Sequence, residues 1–134
     1  MLRVVLGIIA GIFTGAIVIF LTESAGHLIF PPPSGVDFTD HEQARAAISR
    51  LHPGALVAVL VGWALGVFAG GWTAAFIARR GAWPAWAVAA VLLALAIWTM
   101  LMIPHPWWMW AGAILLTVSA GWLAGKLQNL QRGA

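Results

Sequence analysis

The chain has 134 residues, of which 62% are hydrophobic and 8% charged, with a formal net charge of +3 and no cysteine. A soluble domain carries about a quarter charged residues, so that class is excluded. The missing cysteine excludes disulfides, thiolate-bound metals and iron-sulfur clusters. The basic residues form no dense patch and accompany no binding motif, which excludes nucleic acid as a partner.

What remains is an all-α polytopic membrane protein. About 20 helical residues cross a hydrocarbon core of about 30 Å. The apolar runs therefore predict one domain with four transmembrane helices, over 4–22, 54–78, 83–103 and 107–125. The loop over 23–53 lies outside and holds a short amphipathic helix.

The first run follows Arg3 and is longer than a signal-peptide core, so it is expected to stay in the chain. Gly7, Gly11 and Gly15 recur at four-residue spacing, which places them on one ridge of the helix. If helix continues past Thr22, the same ridge runs on through Ile19, Glu23 and His27. Pro31, Pro32 and Pro33 then impose an extended segment. In the loop, Thr39-Asp40-His41-Glu42 reads as a capping box, with Thr39 as the cap and Glu42 reaching back. Ala44, Ala47, Ile48 and Leu51 recur at helical spacing while Glu42, Arg45, Ser49 and Arg50 are polar, so the helix that follows lies flat over the bundle or the headgroups.

Pro53 opens the second span, where a missing amide proton costs little. Every fourth residue from there is small: Gly54, Ala58, Gly62, Gly66, Gly70, Ala74 and Ala78. Lipid tails are as apolar as leucine, so membrane helices associate through close packing, and a smooth ridge admits a second backbone. The first helix is its expected partner, at a right-handed crossing of about 40°. The span ends at Arg79-Arg80-Gly81, with glycine suited to a helix terminus.

Trp83-Pro84 starts an alanine-rich third span that ends before Ile103-Pro104-His105-Pro106, where two prolines hold His105 extended. The fourth span carries Ala113, Thr117, Gly121 and Gly125 on a further small ridge, and 126–134 form a short tail. Of nine tryptophans, Trp107, Trp108 and Trp110 belong to the outer interface and Trp83, Trp86 and Trp122 to the inner one. Trp63 falls near mid-span. Its indole proton needs an acceptor, from a neighbouring helix or from a bound ligand.

Arg3, Arg79, Arg80, Lys126 and Arg132 share one side of this array. The positive-inside rule makes it the cytoplasm, with both termini inside, in an inner membrane. All four acids (Glu23, Asp37, Asp40, Glu42) and all four histidines (His27, His41, His52, His105) then lie outside. Glu23 and His27, four apart, present a carboxylate and an imidazole to one point, with His105 as a third ligand for zinc or another divalent metal. The plainer reading, preferred to the metal one because Glu-x-x-x-His spacing is common, is that Glu23 hydrogen-bonds His27 at headgroup level and fixes the helix exit. His41 and His52 are solvated on this reading. No ionisable group falls inside a span, which argues against coupled transport. A buried haem would need histidines on facing helices. Ser119 does not sit in a Gly-x-Ser-x-Gly elbow.

The segments from Glu23 to Pro33 and from Ile103 to Pro106, with the glycine-rich span ending in Ala78-Arg79-Arg80, resemble a group of uncharacterised small bacterial four-helix inner-membrane proteins. That resemblance implies a fold and a location and no reaction. Three readings stay open. The first is a non-enzymatic accessory or scaffolding subunit, embedded in the lipid bilayer and packing as a homo-oligomer or within a larger membrane complex through Gly7, Gly11, Gly15, Gly62, Gly66, Gly70, Gly121 and Gly125. The second is an outer-surface metal-binding protein or metalloenzyme built on Glu23, His27 and His105. The third is a lipid, quinone or pigment pocket near Trp63 and the third span.

Overall fold

The computed structural model describes residues 1–133, with the side chains of 132 and 133 left aside. Ala134, the end of the expected tail, lies outside the described residues. The described chain is all α-helical in five elements: α1 (Leu2–Ile29), α2 (His41–Arg50), α3 (Pro53–Ala78), α4 (Trp83–Met102) and α5 (Trp107–Gly133). Four of them, α1, α3, α4 and α5, are long and apolar enough to cross a membrane. This is a polytopic membrane protein, with α2 between the first two spans.

Helix α3 is the hub. It packs against α1 on one side and against α4 and α5 on the other, while α1 touches α4 only in part. All seven small residues of the α3 ridge meet neighbours. A Cβ added at Gly7 would lie 2.9 Å from the Ala74 carbonyl oxygen, one at Gly11 2.5 Å from that of Gly70, and one at Gly15 2.9 Å from that of Gly66. Further along, Gly62 faces Thr22 and Ala58 faces Gly26, while Gly54 packs on Phe30 and His52. The contacts of Gly7, Gly11 and Gly15 are of backbone on backbone, the closest that two helices can make, and only glycine leaves room for them.

The contact runs from Gly7 against Ala78 to Gly26 against Ala58, nearly the whole of both helices. Contact over that length means that the two ridges follow one another along both helices. The facing line on α1 explains it. From Gly7, Gly11 and Gly15 it passes to Thr22 and Gly26, one position back from strict four-residue spacing, and so cancels part of the drift that such spacing accumulates. Glu23 and His27 do not continue the ridge as expected. Glu23 lies on its flank and His27 is exposed.

Two element boundaries also differ from expectation. Helix α1 runs on past Thr22 to Ile29, because Glu23, Ser24 and Ala25 do not break a helix and the three prolines do. Helix α5 likewise continues through the expected tail to Gly133. At the end of α3 the left-handed residue is Arg79 itself (φ 52°), with Gly81 a second one two positions on (φ 77°). In α5, Gly121 packs on Ala89 and Gly125 on Ala82, so this ridge serves the α4 contact.

Substituting Gly70→Ala drives a methyl group into the Gly11 carbonyl oxygen, an atom that cannot move aside. It is expected to destabilise the fold by about 1–3 kcal/mol. Gly26→Ala, whose added Cβ would meet only the Ala58 methyl at 3.3 Å, is expected to cost much less. Thermal unfolding of the two variants in one detergent compares them; equal losses would contradict the assigned interface.

Candidate functional site

The side chain that sequence placed near mid-span, Trp63, is 6% exposed in a core with Leu56, Leu60, Ala96, Met100, Met109 and Ala113. Its acceptor is Glu23: the indole Nε1 donates to the carboxylate Oε1 at 3.0 Å, joining α3 to α1. The pairing follows from the ridge. Gly62 brings the α1 backbone close at Thr22, so the next residue on each helix, Trp63 and Glu23, meet beside the contact. Glu23 is thus half-buried within α1, six residues short of that helix's end. Glu23 falls just past the expected span 4–22, in the stretch of α1 that extends beyond its apolar run.

Two cavities share the carboxylate. One, of about 270 Å³, lies under α2 and is lined by Glu23, Gly26, His27, Phe38, Ile48, Leu56, Val59 and His105, among others. The second, of about 290 Å³, is a groove between α1 and α4 lined by Ile19, Phe20, Glu23, Trp63, Leu92, Leu95 and Thr99, with two alanines. Phe20, Leu95 and Thr99 are exposed, so the groove opens sideways toward lipid. The first cavity gathers Glu23, His27 and His105, yet among the described residues no three His, Asp or Glu side chains converge closely enough to hold a metal ion. Glu23 feels His27 electrostatically without a hydrogen bond between them.

His105 forms part of the wall. Its Nδ1 donates to the Ile103 carbonyl oxygen within the proline-flanked turn, which leaves Nε2 as the free lone pair. Burial pushes its pKa below the ordinary histidine value, and the Ile103 hydrogen bond pulls it part of the way back. Burial therefore favours the neutral ring. His52 is exposed, as expected, and in addition caps α3: its Nδ1 accepts from the Gly54 amide at 3.0 Å and its ring stacks on Phe30 at 5.2 Å. The exposed His41 begins α2.

Helix α2 covers the first cavity, with Ala44 and Ala47 buried beneath it. Its cap lies one residue later than the capping-box reading. Asp40 Oδ1 accepts from the amides of Glu42 at 2.9 Å and Gln43 at 3.2 Å, and Gln43 returns a bond to Oδ2 at 3.2 Å. Thr39 is drawn to Asp37, to which its hydroxyl donates at 2.6 Å. One oxygen of the Asp40 carboxylate takes both orphan amides and the other the Gln43 side chain, while the Thr39 hydroxyl is committed to Asp37.

Comparison of the chain with protein-family models, curated proteins and solved structures finds no match in any of the three. The class of protein is set by the fold alone: a helical membrane protein with four candidate spans and a carboxylate held between two of them.

Both loop acids are held below the usual aspartate range, Asp37 chiefly by the Thr39 hydroxyl and Asp40 chiefly by the Gln43 amide. A carboxylate lowered in the folded state contributes stability above its unfolded pKa and loses it as pH falls through the folded value. Acidification below pH 4 is therefore expected to release the α2 cap first. Hydrogen exchange should show α2 amides losing protection before those of α3; simultaneous loss would contradict this.

Proposed function

We propose that the chain is a non-enzymatic protein of a bacterial inner membrane that holds a small amphiphile against Glu23, between α1, α3 and α4 and under α2. The single observation that supports this reading is the Trp63–Glu23 hydrogen bond, placed where an apolar cavity under α2 meets a groove open to lipid. Ionisable side chains inside membrane helices are costly and mark sites of binding or transfer. Trp63 orients this one, and α2 forms the roof. With Arg3, Arg79, Arg80 and Lys126 at the other end of the bundle, the positive-inside rule puts α2 outside and both termini in the cytoplasm.

The scaffolding reading draws less support from the geometry. Gly7, Gly11, Gly15, Gly62, Gly66, Gly70, Gly121 and Gly125 all meet neighbours within the chain. A partner would have to take the large-residue face of α1, where Ile9, Phe13 and Ile17 are exposed, and lipid covers that face equally well. The metal reading needs Glu23, His27 and His105 to close in from their places around the cavity.

Native mass spectrometry of protein released from membranes is expected to show one retained amphiphile. Ala55 also lines the cavity under α2, and Ala55→Phe, which fills it, should abolish that adduct with little change in unfolding temperature. Retention in the filled variant would contradict the site. Elemental analysis of the same sample separates the alternative: stoichiometric zinc, lost on His27→Ala, would establish the metal reading in place of this one.

A further inference from the structure

Resting on that reading, we infer that the amphiphile is a lipophilic organic cation, which enters from the bilayer through the groove between α1 and α4 and places its charge on Glu23. The carboxylate is the reason. Oε1 accepts from Trp63, and among the described residues no second donor and no lysine or arginine reaches the group; the exposed His27 one turn on acts on it through charge without a hydrogen bond. An ionised carboxylate in low dielectric needs a counter-charge. A neutral guest leaves that need unmet, and an anion makes it worse.

The rest of the lining selects the guest's body. Ile19, Phe20, Leu92 and Leu95 are apolar, and the hydroxyl of Thr99 is committed to the Leu95 carbonyl oxygen at 3.0 Å. A strongly hydrated inorganic cation would lose its water here and find one carboxylate in return. An organic cation sheds little and buries apolar surface against Phe20 and Leu95.

The route is written in the helix contacts. α1 and α4 meet where Gly11 faces Val88 and Gly15 faces Leu92. Beyond that level they leave the groove, whose exposed edges are Phe20 on α1 and Leu95 and Thr99 on α4. A guest dissolved in the bilayer reaches Glu23 along it without crossing water. The cavity under α2 then accepts the part of the guest that extends past the carboxylate.

The test uses the full chain in nanodiscs with indole nitrogens labelled, following the Trp63 resonance, which is assigned by its loss in Trp63→Phe. Two probes of the same shape are titrated: benzyltrimethylammonium, and neopentylbenzene, which carries carbon in place of the charged nitrogen. The cation should move the Trp63 signal saturably. Glu23→Gln, which keeps an acceptor for the indole, should weaken that binding at least about tenfold while the other indole signals stay in place. The neutral probe should bind far more weakly than the cation. Equal binding of both probes, unaffected by Glu23→Gln, would overturn the cation assignment and leave the cavity reading standing. No response of Trp63 to either probe would overturn both.

Discussion

Backbone contact between α1 and α3 is the constraint from which the rest follows. In lipid there is no hydrophobic gain from burying leucine against leucine, so stability must come from surfaces that approach more closely than lipid can. Glycines at 7, 11, 15, 66 and 70 supply that approach, each with its missing Cβ aimed at a carbonyl oxygen of the other helix. Because the contact extends over almost the full length of both helices, sliding one along the other would break every close approach at once. Register is consequently fixed, and everything attached to α1 is placed relative to α3 with little freedom.

That fixed register produces the site. The pairing of Glu23 with Trp63 spans forty positions of sequence and depends on which residue of α1 lies opposite Gly62. Shifted by one position, the carboxylate would take the place of Thr22 against the α3 backbone, and the indole would lose its acceptor. The rigid half of the bundle thus carries the polar pair, while α2, tied by Asp40 and Gln43 at one end and by the short link to Pro53 at the other, forms a separate cover. A cover held by exposed carboxylate hydrogen bonds has low local stability compared with the spans.

Much of this architecture is legible in the residues themselves. Four-residue spacing of glycine and alanine in α3 has few uses outside a helix contact, and Pro53 and Arg79-Arg80 delimit that helix closely. The continuation of α1 beyond Thr22 is less legible, because an apolar run ends at the first charged residue while a helix ends only at a breaker, here the three prolines. The shift of the cap from Thr39 to Asp40 turns on competition between adjacent side chains for the same amides, which spacing alone does not resolve. Glu23 was hardest to read: Trp63 announces that an acceptor exists, but the acceptor's identity depends on the offset of the ridge after Gly15, where Thr22 and Gly26 replace strict four-residue spacing.

The most direct measurement of the α1–α3 register uses the absence of cysteine from the chain. A Cβ at Gly26 lies 3.3 Å from the Ala58 Cβ, close to the separation of about 3.5–4.5 Å that a disulfide requires. The double variant Gly26→Cys with Ala58→Cys, oxidised in native membranes, is expected to form an intrachain bond rapidly, while Gly26→Cys with Ala74→Cys forms none. Bonding only between chains, or equal bonding in both variants, would contradict the account.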